Sequence, residues 1–509
     1  NIDGREAITL LGQWLPHAQY QEYLESLLSN LDPKEIPRIE LYKDSIAKLY
    51  TLNLDNALDL LKPLYPTRGR PAVNQPEILR ALILMADLKL NGIPALVNRL
   101  RTDPLLAAIC GFDDQNNPPG VGTFYDFINR LWGESPDRIR ARKMMQRRIS
   151  RIPKKKPQDG EKLPPQNPGI VKTIVDRIVE GRPFAKPPEH ILQRLLARCC
   201  VDESAKMGLL GNTQNLSISG DGTCVSSYAR SSGIKTCNCR EKGIHHCTCK
   251  RRYSDPDAKI GWDSYRKQWF FGYSMYVLTA SDSPYDLPLL LRFAEAPRHD
   301  SVISPVALNE FTQVYPHFKI GEFLGDSAHD SYDIYRLIYH LNASPVIDLN
   351  PRNGSLQYPG PVKLTDLGIP ICPGGFEMIP WGYCRSRDRI KWRCPHVLGR
   401  CKCPLDNPCS PSPYGRTIYT KREWNIRILT PIPRGTPMWE KTYDKRTSVE
   451  RTNKRIKVDY ELDGIRFFSK KQAFLRATLN AMNIHLDAQI KHKQNELGAL
   501  FSKCMPRAA

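Results

Sequence analysis

The sequence predicts a mixed α/β fold in which an all-α N-terminal stretch leads into a mixed sheet interrupted by a β-rich insertion. Three observations carry that expectation. Apolar residues recur at helical spacing through residues 1–148. From Leu216 the period changes to two, and strands then alternate with helices. Between Pro351 and about Pro437 the pattern becomes short, rich in Pro and Gly, and cysteine-bearing. With 509 residues the chain exceeds one ordinary core, and about two to four domains are expected.

In the first stretch, Glu77 to Leu90 and Pro94 to Arg101 carry apolar residues at i, i+3 and i+4. Asn91-Gly92, Gly111 and Asn117-Pro-Pro-Gly120 separate the helices. Thr123 is expected to cap a further helix starting at Phe124. Short helices with Arg99, Arg101 and Arg130 nearby suit a DNA-binding bundle, and suit a plain helical bundle equally well. Arg138 to Lys156 holds ten Lys or Arg and runs into Pro164-Pro165. It reads as a helix tail followed by a linker that either tracks phosphates or is a solvated hinge. Residues 169–210 return to helical spacing, most plainly at Ile191 to Arg198.

Strands are then expected at Leu216 to Thr223, Phe270 to Thr279 and Leu287 to Phe293. A helix from Ser304 to Val314, a short strand at Phe323 ending in Asp326, a helix from Tyr332 to Leu341 and a strand at Pro345 follow. Three antiparallel-type strands followed by strand–helix alternation is the order of a ribonuclease-H-like mixed sheet. Within the insertion, Trp424 to Leu429 reads as a strand. Lys470 to Lys491 reads as a long amphipathic helix that packs on the sheet. The expected divisions are an N-terminal helical DNA-binding domain (1–148), a basic linker (149–168) and the first part of the catalytic core (169–350). A cysteine-containing β-rich insertion (351–438) and the catalytic and C-terminal helices (439–509) complete it.

The formal net charge of +21 points to a polyanionic partner, nucleic acid first and an anionic lipid surface second. No apolar run approaches the length needed to span a bilayer.

Tyr443 to Lys457 contains no Pro or Gly and is mostly cationic, as suits an exposed helix. A step of seven residues returns to within roughly 20° of its start on a helix, so Tyr443, Glu450 and Lys457 share a face. Arg446 lies one turn before Glu450. Alone, an acid among cations reads as a solvated ion-pair face. Asp221 and Asp326, each at the end of a short apolar strand, change that reading. Three acids from strand, strand and helix suit a pair of Mg²⁺ ions about 3.5–4 Å apart, which activate an attacking oxygen and stabilise a leaving one in phosphodiester chemistry.

Tyr443, Arg446, Glu450 and Lys457 match without a gap the Tyr–Arg–Glu–Lys signature of DDE-type bacterial insertion-sequence transposases. Asp221-Gly-Thr resembles the family's first-acid motif, and Gly325-Asp-Ser-Ala-His-Asp-Ser its second. Gly272-Tyr273, Asp286-Leu-Pro-Leu and His299-Asp300 resemble the landmarks between them. About Gly69 to Trp132 is similar to the helical domain often fused to these enzymes, so the resemblance covers residues 69–132 and 215–495. It implies that Asp221, Asp326 and Glu450 hold two catalytic Mg²⁺, with Mn²⁺ able to substitute. It implies that Arg446 and Lys457 contact phosphates and that Tyr443 sits on the DNA-end side. The implied chemistry is nicking at the element's ends, then attack of the freed 3′-hydroxyl on target DNA. The implied partner is double-stranded DNA, bound by a homodimer on paired ends. The implied setting is the bacterial cytoplasm at the nucleoid, with no membrane. A catalytically inactive DNA-binding descendant and a metal-dependent nuclease without strand transfer are the alternatives. The intact acids favour the transposase.

The 15 cysteines are clustered rather than spread, which favours metal binding over disulfides. Cys237, Cys239, Cys247 and Cys249, with His245 and His246 between, are one candidate structural Zn²⁺ site. Cys394, His396, Cys401 and Cys403 are a second, with Cys384 and Cys409 outside. Reduced thiols in loops, or one site shared between the clusters, are the alternatives. Cys372 reads as an ordinary buried thiol, His299 and Asp300 as a loop-fixing pair or a pair beside the metals, and Asp330 as a helix cap.

Overall fold

The computed structural model describes residues 14–30, 35–66, 68–113, 115, 117–133, 138–140, 169–353 and 360–504. The expected linker 149–168 and the basic run beyond Arg140 lie outside the described residues. The chain is a mixed α/β protein with a helical N-terminal region.

That region comprises α1 (His17–Ser29), α2 (Ile36–Thr51), α3 (Leu58–Leu61), α4 (Gln75–Asp87), α5 (Ile93–Thr102), α6 (Pro104–Cys110) and α7 (Val121–Leu131). Thr123 lies inside α7 and does not cap it, because extended Gly120 starts the helix at Val121. After the short strand β1 (Ile139–Arg140) come α8 (Ile170–Val179), α9 (His190–Leu196) and α10 (Asp202–Lys206).

The strands β2 (Leu216–Ser226), β3 (Ile234–Lys235), β4 (Arg251–Arg252), β5 (Lys259–Asp263), β6 (Gln268–Ala280) and β7 (Leu287–Glu295) follow. Next come α11 (Asp300–Val314), β8 (Ile320–Gly325), α12 (Tyr332–His340) and β9 (Ser344–Ile347). The central sheet runs β5–β6–β2–β8–β9, with β7 also on β6. β6 is long enough for both neighbours: β5 pairs with Gln268–Gly272 and β7 with Tyr273–Ala280. β2, β6 and β7 are antiparallel, whereas β8 and β9 run parallel to β2. Parallel neighbours cannot be joined by a tight turn, and α11 and α12 supply the crossovers. The short strands β1, β4 and β3 form a separate small sheet.

The insertion builds its own antiparallel sheet from β10 (Ile379–Cys384), β11 (Arg389–Arg393) and β12 (Thr417–Lys421). Trp392 is fully buried there and donates Nε1 to Thr420 Oγ1 at 2.9 Å. The strand expected at Trp424 to Leu429 does not form. Asn425 Oδ1 accepts from Arg427 N and Ile428 N, so its side chain satisfies the amides a strand partner would need and turns the chain.

The expected helix from Tyr443 to Lys457 is a right-handed path in four pieces. These are α13 (Pro437–Tyr443), a 3₁₀ turn (Asp444–Arg446), α14 (Thr447–Lys454) and a π turn (Arg455–Asp459). The tight turn and the wide turn lie on either side of Glu450, and such departures from α geometry re-aim side chains.

α15 (Lys470–His492) and α16 (Gln494–Cys504) close the chain. α15 was expected to show one apolar face to the sheet, but almost every residue from Ala473 to Gln489 is buried. It packs against β7 on one side and against α2, α4 and α9 on others, the situation of a helix enclosed all round. Its few polar side chains are tied accordingly. Arg476 donates to Met85 O (3.1 Å) and Leu90 O (2.9 Å), and Asn483 to Ile83 O (3.1 Å). Buried Lys48 on α2 bridges Asp87 at 2.5 Å and Asp487 at 2.8 Å. One continuous hydrophobic core therefore joins the N-terminal helices to the central sheet.

Candidate active site and cysteine centre

Asp221 lies in β2 opposite Val277 of β6, and Asp326 follows β8, the parallel neighbour of β2. Asp326 stands at the C-terminal end of β8, whereas Asp221 does not end its strand. β2 pairs in parallel with β8 only over Leu216–Ser219 and runs on past Asp221 to Ser226 against β6, so the strand end expected at Asp221-Gly-Thr does not form and Asp221 lies just beyond the parallel pairing. Asn453 Nδ2 on α14 donates to Asp221 Oδ2 at 3.2 Å, which holds that helix against β2. Glu450, one turn earlier, accepts from Arg446 at 2.6 Å, and its side chain is 51% exposed.

His329, given no role from the sequence, and Asp300 join the acids. His329 is fully buried, with Nδ1 at 2.7 Å from Asp326 Oδ1 and Nε2 at 2.8 Å from Tyr276 OH. Asp326 also accepts from Ala328 N at 3.0 Å. The His299–Asp300 pair divides its labour. His299 caps α11 through Ser301, the loop-fixing role expected of the pair. Asp300 instead turns its carboxylate onto Gly222, beside Asp221, where any Cβ would run into its oxygens. The glycine of Asp221-Gly-Thr thus leaves the space that the Asp300 carboxylate occupies. The local signals were the His299-Asp300 pair and the place of His329 within Gly325-Asp-Ser-Ala-His-Asp-Ser; Asn453 carried none.

The electrostatics follow from this crowding. Burial pushes Asp221 up to about 7, with the charges of Asp300 and Asp326 adding to it. Asp300 is also raised, chiefly by burial. Burial would raise Asp326 too, but the His329 hydrogen bond and charge hold it below the usual carboxylate range. Burial would lower His329, yet Asp326, Asp300 and Asp221 outweigh it and raise the imidazole.

A pH dependence follows with a definite sign. Asp221 ionises near pH 7 in the fold and near pH 4 in an unfolded chain, so between those values the folded state holds more protons and stability falls as pH rises. Glu77, pushed up to about 7 by burial, contributes in the same direction. The His329–Asp326 pair is fully stabilising below the ordinary histidine value and is lost as pH rises through the elevated one. Metal-free protein is expected to melt at lower temperature at pH 8 than at pH 6, and Asp221→Asn to flatten that slope. Thermal melts across this range check it, and a wild-type Tm that rises with pH contradicts it.

The cations of the expected signature are engaged inside the protein. The Tyr443 ring stacks on Trp439 at 4.6 Å, and the Arg446 guanidinium sits 5.6 Å from the Tyr443 centroid. Lys457 Nζ donates to Thr223 Oγ1 (3.0 Å) and Cys224 O (2.9 Å) on β2, two and three residues beyond Asp221, and lies 3.4 Å from Asp463. Lys457 thereby ties the π turn to the acid-bearing strand.

Asp330 does not cap a helix. Ser331 occupies the position before α12, and Asp330 instead accepts from Arg427 Nε (2.8 Å) and a terminal nitrogen (2.7 Å). Against the upward push of burial, Arg427 and the Asn350 amide hold its pKa below the usual range.

Between β3 and β4, the sulfurs of Cys237, Cys239, Cys247 and Cys249 all lie within 4.8 Å of one another, the metal-type cluster found among the described residues. Cys237–Cys247 and Cys239–Cys249 each stand at 3.6 Å. Arg251 donates to Cys247 Sγ at 3.1 Å and pulls that thiol down to about 6. His245 and His246 are not in the cluster. Four soft donors with a guanidinium beside them are compatible with a structural Zn²⁺. The set Cys394, His396, Cys401 and Cys403 is not gathered in this way: His396 Nδ1 lies 3.0 Å from Cys401 O and 3.3 Å from Cys403 N.

Among the described residues, no helix is long and apolar enough to cross a membrane. No curated protein matches the chain. Residues 43–130, from α2 into α7, match the family model described as Transposase domain (DUF772), which supports a transposase family for this chain.

Proposed function

We propose that the chain is a DDE-type insertion-sequence transposase that nicks DNA at the element's ends and joins the freed 3′-hydroxyl to target DNA. The observation that carries this reading is the meeting of Asp221 and Asp326, from adjacent parallel strands, with the helix bearing Glu450. The strand arrangement, antiparallel on one side of β2 and parallel on the other, supports a ribonuclease-H-like core. The transposase-domain match at residues 43–130 supports the same reading, in which the N-terminal helices bind the DNA ends.

The acids fit Mg²⁺, or Mn²⁺ in its place: the donors are hard oxygens, and their mutual repulsion is relieved by a divalent cation. Asp221, Asp326 and Glu450 would hold two such ions, which supply activation of the attacking oxygen and stabilisation of the leaving one. The chain's own residues orient the rest. His329 fixes the Asp326 carboxylate and Asn453 that of Asp221. Arg446, held between Tyr443 and Glu450, presents charge to a phosphate at the DNA end. The Trp439–Tyr443 stack offers ring surface to backbone or a displaced base. Lys457 keeps its charge beside β2 while fixing the π turn. The Cys237–Cys249 cluster binds Zn²⁺ structurally and takes no part in the chemistry. A homodimer acting on paired ends at the nucleoid, in the cytoplasm, completes the proposal.

Incubating the full chain with its flanking genomic DNA and Mg²⁺, and mapping the breaks, tests it. Nicks at the element's ends with subsequent joining are expected. End binding without nicks in Mg²⁺ or Mn²⁺ would establish the inactive DNA-binding alternative. Nicks never followed by joining would establish the nuclease.

A further inference from the structure

The insertion poses a stability problem of its own. Its separate core among the described residues is Ile369, Cys372, Met378, Ile390, Trp392 and Ile418. Between residues 360 and 421, basic side chains outnumber acidic ones by ten to four. So small a core under such self-repulsion calls for a staple, and metals and disulfides are the usual ones. All the cysteines of this region are free thiols.

Cys372, which read from the sequence as an ordinary thiol, lies where a ligand is needed. Gly375 N donates to Cys372 O at 2.9 Å and Cys372 N to Phe376 O at 2.8 Å, which closes a tight Cys-Pro-Gly-Gly turn. A Cβ on Gly374 in that turn would stand 3.5 Å from Cys403 Sγ and 3.7 Å from Cys372 Sγ, so two sulfurs 31 positions apart border one small space. Cys394 closes β11 on the far side, and a Cβ on Gly415 would come 3.4 Å from its sulfur. Cys401 lies two residues before Cys403 in the same loop, and His396 Nδ1 reaches both, 3.0 Å from Cys401 O and 3.3 Å from Cys403 N. His396, by contrast, is exposed, and its Nδ1 is committed to the backbone of the Cys401–Cys403 loop.

We propose that Cys372, Cys394, Cys401 and Cys403 bind a second structural Zn²⁺, with His396 shaping the loop that carries two of the ligands. These sulfurs are not drawn as closely as the first cluster, whose sulfurs lie within 4.8 Å of one another; a bound ion with Zn–S near 2.3 Å draws them in through thiol rotation. Four thiolates on one Zn²⁺ leave a centre of net charge about −2, which offsets the surrounding Arg and Lys. The site staples the Cys372 turn to the end of β11 and the following loop, and is independent of the catalytic reading.

Metal analysis of the full chain, purified under reducing conditions with Zn²⁺ supplied, tests this. Two equivalents of zinc per chain are expected. A Cys237→Ser/Cys249→Ser variant should lose one equivalent and keep the other. Cys372→Ser should lose one, and His396→Ala should keep both. Should Cys372→Ser fail to fold, alkylation of the wild type decides the matter. Cys372, Cys394, Cys401 and Cys403 should become reactive together when a chelator removes zinc, while exposed Cys384 reacts throughout. Retention of zinc by Cys372→Ser, its loss from His396→Ala, or a Cys372 whose reactivity ignores the chelator would overturn the proposal.

Discussion

Glu450→Gln is expected to bind element-end DNA as the wild type does and to lose Mg²⁺-dependent nicking by on the order of 10²–10³-fold, as when a preorganised charge is removed from a transition state. The amide preserves the shape of the side chain and an oxygen for Arg446, which now donates to Glu450 at 2.6 Å. What disappears is one negative charge at the place where the proposed mechanism holds a divalent cation. The fold gives a clean control, because the Glu450 side chain is 51% exposed and an exposed substitution changes stability by only about 0.5 kcal/mol. Nicking assays beside a thermal melt and an end-binding titration separate the effects. Undiminished nicking by this variant would remove Glu450 from the chemistry.

Asp330→Ala is expected to destabilise the protein by about 3–5 kcal/mol, the cost of leaving one member of a buried ion pair unpaired. The Arg427 side chain is 5% exposed and that of Asp330 is fully buried, with two charge-assisted bonds between them. Asp330 also accepts from Asn350 N at 2.7 Å and from Asn353 Nδ2, so several groups lose their acceptor at once. The pair joins the return segment of the insertion to the loop four residues past Asp326. Nicking should therefore fall along with stability, in contrast to Glu450→Gln. Denaturant unfolding measures the loss as a lower midpoint. Because the folded Asp330 pKa is depressed, its contribution is full above the ordinary aspartate value and lost as pH falls below it. The variant should consequently lose part of the wild type's acid sensitivity. Equal stabilities of variant and wild type at pH 7 would contradict the argument.

Local signals account for what could be read along the chain. The change of period at Leu216, the strand ending before Asp326, and the helices on either side of it depend on side chains a few positions apart. Where a local signal had a competitor, the reading failed. Trp424 to Leu429 has strand composition, but the Asn425 side chain takes the amides of Arg427 and Ile428. α15 has one conspicuous apolar face and a mixed remainder, yet it is enclosed by helices contributed nearly 400 residues earlier, as the Asn483–Ile83 bond illustrates.

By itself, the sequence determined the order of strands and helices and the spacing of Tyr443, Arg446, Glu450 and Lys457 along one helical path. It also determined the clustering of cysteines into two regions. Periodicity and short spacing are properties of neighbouring residues, so they are legible without a fold. Only the tertiary structure decided that Asp300 and His329 stand with the acids, that Lys457 is bound to β2, and that Cys372 and Cys403 border one small space. Each of those depends on through-space proximity and on burial. Both are set by which elements pack together, and no window along the chain contains them.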